Sequence, residues 1–169
     1  LVLPPVVGGV TLLTAFGRRG LVGQYLYDWF GIQLPFSTAG VVMAEAFVAM
    51  PFLVITVEGA LRNIDTRYEQ VARTLGASPR TVLFRVTLPM ISASLVAGIV
   101  LAWARALGEF GATITFAGNF PGVTQTLPLA VYSTLEVSRD EAIALSLVLL
   151  AVSLTVLVSL RGRFLGSRT

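Results

Sequence analysis

The chain has 169 residues, 55% of them hydrophobic and only 12% charged, and its twelve cationic and nine acidic side chains leave a formal net charge of +3. Soluble domains carry about 25% charged residues, so this composition points to a membrane protein. There is no cysteine and no histidine, and every cationic residue is arginine, which excludes disulfides, thiolate chemistry, imidazole ligation of metals and nucleotide binding through a phosphate-loop lysine.

Crossing a bilayer takes roughly 20 mostly apolar residues. Leu1 to Phe16 is uncharged and reads as the end of such a helix, kinked at Pro4-Pro5. Because the sequence starts inside this apolar run, an upstream segment is expected. Arg18 to Pro35 is mixed and turn-rich, with Tyr25, Tyr27 and Trp29 suited to a membrane interface. Thr38 to Val57 is the next expected span, interrupted by Glu45 and Pro51. A polar loop follows, and Val86 to Ala104 forms a third span that continues into Arg105, Glu109 and a glycine-rich end.

Phe110 to Leu135 is uncharged but broken by Gly111, Gly118, Asn119, Pro121, Gly122 and Pro128. This pattern predicts the end of one helix, a turn in "AGNFPG" and a short helix before Glu136, with a fifth full span as the alternative. Ala142 to Leu160 is the last, uninterrupted span, closed by Arg161, Arg163 and Arg168. Arg62, Arg67, Arg73, Arg80 and Arg85 lie in the loop that four spans would place on the side of these C-terminal arginines. Only Arg18, Arg19 and Arg139 lie opposite. The excess of arginine predicts a cytoplasmic loop and a cytoplasmic C-terminus.

That loop, "TRYEQVARTLGASPRTVLFRVTLP", reads as a capped helix pair. Thr66 and Glu69 have the spacing of a capping box. Tyr68, Val71, Ala72 and Leu75 share one helical face, and Arg67, Gln70, Arg73 and Thr74 the other. Gly76 suits the left-handed position past the helix end. Ser78 and Pro79 suit the cap and first turn of a second helix, which runs through Val82, Leu83 and Val86 until Pro89 marks the entry of the third span. Such an element is either an amphipathic interfacial linker or a stiff dock for a cytoplasmic partner.

The loop resembles the cytoplasmic coupling loop of the permease subunits of ABC importers, whose pattern is Glu-Ala-Ala, three residues, Gly, nine to ten more, a hydrophobic residue and Leu-Pro. Aligned on Gly76 and Leu88-Pro89 the spacing matches, although Gln70 stands at the family's glutamate, with Glu69 one place earlier, and Val71 and Ala72 stand at its alanines. A second stretch, "ARALGEFGATITFAGNFPGVTQTLPLAVYSTLE", together with "LVLPPVVGG" and "VAMPFLVITVEGAL", is similar to permeases for tetrahedral oxyanions, molybdate in particular. The resemblance covers nearly the whole chain, and family members carry more spans than the four expected here.

The resemblance implies an all-α, polytopic transmembrane helical bundle. Residues 1–169 would form a single permease domain with its coupling loop at about residues 58–89. It further implies a multi-pass protein of the inner, cytoplasmic membrane that works as a homodimer. Two ATP-binding subunits would dock on it, an extracytoplasmic substrate-binding protein would deliver molybdate, and tungstate, sulfate or thiosulfate are the alternative cargoes. ATPase coupling would fall on Glu69, Gln70, Val71, Ala72, Arg73, Leu75, Gly76, Ala77, Ser78, Arg80 and Pro89. Arg73 and Arg80 are alternatively ordinary anchors on the cytoplasmic side. No catalytic residue, metal, cofactor or nucleic acid is expected in this chain.

Intramembrane charges are costly and point to function or to helix fastening. Glu45, Arg105 and Glu109 are the candidates. The spacing of Arg105 and Glu109 allows a direct pair, which Glu45 could share. The cluster either fixes helix packing or lends potential to a translocation path. Gly108 and Gly111 allow close helix approach or mark an unwound gate. Thr113 and Thr115 either line that gate or bond back to their own helix, and Pro121 to Pro128 would face the binding protein. Two other classes compete. A secondary transporter would use Glu45 and Glu109 as an ion site and leave the capped loop unexplained. An intramembrane enzyme has no convincing nucleophile and base here.

Overall fold

The computed structural model describes residues 4–165, with side-chain surroundings as far as Val158. Arg168 and the side chains of Arg161 and Arg163 therefore lie outside the described residues. The elements are helical throughout the described chain: α1 (Pro5–Phe16), α2 (Gly23–Phe30), α3 (Thr38–Arg62), α4 (Arg67–Thr74), α5 (Pro79–Val82), a π turn (Leu83–Thr87), α6 (Leu88–Leu107), α7 (Gly111–Phe116), α8 (Leu127–Leu135) and α9 (Arg139–Leu165).

Among the described residues three helices are long and apolar enough to cross a membrane: Thr38–Arg62, the continuous Pro79–Leu107, and Arg139–Val158 within α9. Their lengths of 25 and 29 residues for the first two correspond to roughly 37 and 43 Å of helix, against about 30 Å of bilayer hydrocarbon. The span in α9 is apolar on all sides and hardly buried within the chain. A helix of that kind is surrounded by lipid or by other apolar helices. These match three of the four expected spans, and the first, expected only as the end of a helix, falls on α1. Within the described residues α1 has 12, or about 18 Å. The expected kink at Pro4-Pro5 is absent from the described helix, because Pro4 is its N-cap and Pro5 opens its first turn, where a missing amide costs nothing. Glu45 and Pro51 do not interrupt α3. The Phe110–Leu135 region resolves into two short helices joined by a turn, with Gly118 and Gly122 at φ +77° and +75°.

The chain divides into two compact units, one made of Leu1–Ala49 with Ala104–Thr169 and the other of Met50–Trp103. In the first, Leu12, Ala44, Ala112 and Phe116 form the core, with Phe16, Leu34, Met43, Phe47 and Val48 packed around them. α7 lies against α1 and α8 against α9. The α1–α7 approach depends on absent side chains. A Cβ on Gly9 would come within 2.8 Å of the Ala112 carbonyl oxygen and 3.0 Å of its Cα, and one on Gly111 would lie 3.0 Å from Pro5 Cβ and Val6 N. Glycine lets helix backbones approach this closely. α2 had no counterpart in the sequence reading. It ends on Gly31 at φ +66°, and Arg18 fixes its far side by donating to the Tyr27 hydroxyl at 2.9 Å while lying over its ring.

The second unit is a hairpin. The later turns of α3 run antiparallel to the early turns of α6, and Gly98 admits Leu53 and Thr56, which would stand 3.0 and 3.1 Å from a Cβ there. At its end the chain turns through α4 and α5.

Substituting Gly9→Val should separate α1 from α7, because beyond the Thr115 hydroxyl, which can rotate away, the Ala112 carbonyl oxygen and Cα also obstruct it and are backbone atoms that cannot swing aside. A destabilisation of about 1–3 kcal/mol is expected. It would be read as a lowered thermal transition in detergent, and an unchanged transition would refute the close packing.

Candidate functional site

Two places concentrate polar chemistry in this apolar chain. The first is the helix pair between α3 and α6. Asn63 Nδ2 donates to the Gly59 carbonyl at 2.7 Å and closes the end of α3. Asp65 Oδ1 then accepts from the Arg67 amide at 3.0 Å and starts α4. The expected capping box does not form. Thr66 already has helical angles, φ −63° and ψ −12°, and its side chain caps nothing. Asp65, one residue earlier, caps the helix instead, through the Arg67 amide. Glu69 is thereby released, and its Oε1 accepts a hydrogen bond of 2.6 Å from Thr87 Oγ1. Its other oxygen lies 3.7 Å from Arg73 Nη2.

The far end of α4 is built as the sequence predicts. Gly76 has φ +82°. Its amide donates to the Arg73 carbonyl and that of Ala77 to the Ala72 carbonyl, both at 3.0 Å, the paired bonds of a Schellman stop. Ser78 Oγ accepts from the Thr81 amide at 3.2 Å, and Pro79 occupies the first helical turn. The elbow is therefore hydrogen-bonded on both arms and at its corner. Its outer face is bare: Tyr68, Val71 and Leu75 are 60%, 58% and 83% exposed. Gln70, Arg73, Gly76, Ser78 and Arg80 are exposed as well, while Ala72 and Ala77 are half-buried.

Pro89 does not begin a new helix. α5, the π turn and α6 are continuous, and the Leu88 amide reaches back to the Leu83 carbonyl. Proline removes an amide that an α-helix needs four residues downstream of each carbonyl. A single widened turn just before it absorbs that mismatch without a break.

The second place is the junction after α6. Glu109 is 1% exposed. Its Oε2 lies 2.7 Å from Arg105 Nη2, and its Oε1 accepts from the Ala112 amide at 2.8 Å. The pair spans a helix end instead of lying within one helix, since α6 stops at Leu107 and Glu109 belongs to the connection into α7. Glu45 is half-buried on α3. Among the described residues Arg105 pairs with Glu109 and not with Glu45. Gly111 serves close packing, whereas Gly108 is exposed with open space beside it. Thr115 Oγ1 bonds back to the Gly111 and Ala112 carbonyls at 2.8 and 3.2 Å. Thr113 is fully buried, and its hydroxyl has no partner among the described residues. In the turn that follows, Asn119 Nδ2 donates to Ser133 Oγ at 2.7 Å and Thr124 Oγ1 accepts from the Phe120 amide at 3.0 Å.

The sequence reading missed Asp65, Thr87 and Gly9. An aspartate two residues before a helical amide is a local signal that was available, whereas the partners of Thr87 and Gly9 are remote in sequence and left none.

The family described as binding-protein-dependent transport system inner membrane component matches residues 1–169. The molybdenum transport system permease protein ModB of Mycobacterium tuberculosis is 56% identical over 163 residues, covering 96% of this chain and 61% of that protein. The protein of the same name from Haemophilus influenzae is 48% identical over 168 residues, covering 99% and 73%. The sulfate transport system permease protein CysT of Salmonella typhimurium is 39% identical over 166 residues, covering 96% and 60%. The chain thus spans somewhat under two thirds of the mycobacterial relative's length. With a family match over its whole length and three membrane-length helices, this multi-pass membrane protein belongs to the inner membrane components of binding-protein-dependent transport systems.

Proposed function

We propose that this chain is part of the permease subunit of an ATP-driven importer of molybdate. Residues 1–169 would act as one permease domain, and two copies would enclose the path. An ATP-binding subunit would dock on the elbow of each copy, and an extracytoplasmic binding protein would supply the oxyanion. The elbow carries this reading: a corner fixed by paired hydrogen bonds and a cap presents Tyr68, Val71 and Leu75 bare. An amphipathic linker lying on the membrane would use the apolar face but would not need the stiffness. Docking would seat Val71 and Leu75 in a groove of the ATPase, with the exposed Arg73 and Arg80 at its rim. The cargo assignment follows the names of the relatives, 56% and 48% identical for molybdenum against 39% for sulfate.

Arg105 and Glu109 are proposed to fasten the α6–α7 junction of the permease, not to bind cargo. Glu109 holds Arg105 and the first turn of α7 at once. With Arg105 already matched by Glu109, the pair offers no net positive charge to attract a dianion.

Three measurements test these assignments. ATP-dependent uptake by the reconstituted complex should be strongest for molybdate and tungstate and weakly inhibited by sulfate. Equal competition by sulfate would overturn the cargo assignment. A Gly76→Val substitution forces a β-branched residue into a left-handed conformation, at a cost of about 1–3 kcal/mol. It should abolish co-purification of the ATP-binding subunit while the permease still inserts, and retention of the subunit would count against docking at the elbow. Glu109→Ala leaves Arg105 without its partner and should reduce the amount of assembled permease, since breaking a buried pair costs about 3–5 kcal/mol. Normal assembly with uptake alone lost would favour a role in the path.

A further inference from the structure

We infer that the Glu69–Thr87 hydrogen bond is the latch that makes the docking helix and the membrane helix move as one body, with Glu69 and Thr87 as positioning residues for coupling. The inference rests on the proposed docking of an ATPase at α4. The two residues are 18 apart, and the bond of 2.6 Å falls in the range of a hydroxyl donating to a carboxylate, among the stronger protein hydrogen bonds. Thr87 is 7% exposed and the Glu69 side chain 21%, so water competes little for either group.

The sequence position of Thr87 gives the bond its mechanical meaning. A threonine inside a helix ordinarily turns its hydroxyl back to a carbonyl three or four residues earlier, as Thr56 does to Phe52 at 2.7 Å. Thr87 is the last residue of the π turn, and its hydroxyl is spent on α4 instead. α4 buries none of its residues. It therefore has little hydrophobic attachment to the rest of its unit, and its position is set by its two ends and by Glu69. The Schellman stop and Ser78 fix the angle of the corner. Glu69 is the cross-brace that closes the triangle between α4, α5 and the foot of the long helix. Without it, force applied to Val71 and Leu75 would bend the corner before it moved the span.

The test uses the complete transporter in nanodiscs, with hydrogen exchange of the α4 amides and molybdate carried per ATP hydrolysed as separate readouts. Thr87→Val keeps the shape of the side chain and removes the donor. It should lower protection of the α4 amides about tenfold, the scale of one lost charge-assisted bond. Molybdate carried per ATP should drop several-fold with the ATPase still bound. Thr87→Ser should restore both. Glu69→Ala lies on the surface helix and should reproduce Thr87→Val, and the double variant should be no worse than either single one. Unchanged α4 protection in Thr87→Val, additive effects in the double variant, or loosened α4 with full coupling would each overturn the latch. Failure of the wild-type chain to hold any ATP-binding subunit would sink the docking reading, and with it the coupling role, even with the exchange pattern as expected.

Discussion

A carboxylate shut inside an apolar helix bundle has to be answered by opposite charge, by amide hydrogens, or by both, because the bilayer offers no water to do it. Glu109 is answered by both. Its two oxygens go to different elements, one to the guanidinium at the end of α6 and one to an amide in the first turn of α7. This makes the side chain a clasp across a break in the helix, and the break is where backbone amides would otherwise be left unpaired. The neighbouring glycines follow from the same constraint. α7 is only six residues long and cannot hold itself in place by its own hydrogen bonds. It is held by close contact with α1, which Gly9 and Gly111 permit, and by the Glu109 clasp.

The elbow obeys the same rule from the opposite direction. Here the backbone is at the surface, polar groups are cheap, and what requires explanation is exposed hydrocarbon. Scattered apolar residues on a surface are unremarkable, but Tyr68, Val71 and Leu75 lie on one face of a helix of eight residues. A helix this short does not persist alone in water. The capping groups at Asp65 and Ser78, the Schellman bonds and the Glu69–Thr87 contact supply the order that burial does not. The chain thus invests specific hydrogen bonds in presenting an apolar face that nothing within its own unit covers.

What could be read from the sequence divides by distance along the chain. Gly76, Ser78 and Pro79 were legible because a left-handed stop and an N-cap are decided by neighbours within a few residues. The long apolar helices were legible because length and composition alone decide them. Thr66 and Glu69 were misread because the cap sits one residue earlier: Asp65 accepts from the Arg67 amide, and Thr66 is already helical. The true partner of Glu69 lies 18 residues on, where no periodicity points. Pro89 was read as a helix start because its missing amide forbids an ordinary α turn, and spacing gives no sign that a π turn absorbs the mismatch. The Arg105–Glu109 pair was visible in its spacing, but its place past a helix end depends on where α6 stops. α2 was hidden by the surrounding glycines, which mark turns as readily as helix boundaries.

The distribution of stiffness also bears on how a passive pore can be driven. An importer must release its cargo, so a deep charged well in the path would defeat it. The buried ionic pair of this chain is self-neutralising, with Arg105 already committed to Glu109. On the proposed reading, charge here fastens helices and does not hold a ligand. Rigidity is likewise placed where force would enter. The π turn would be a soft point in a plain helix, because a widened turn loses regular bonding. Thr87 sits in that turn and is bonded to α4, so the widened turn of the long helix coincides with its external brace. On the proposed coupling, a helix widened and braced at the same residue has two ways to respond to load, bending with the brace broken or moving whole with it intact, and the strength of one hydroxyl–carboxylate bond would set which of them a partner's push selects.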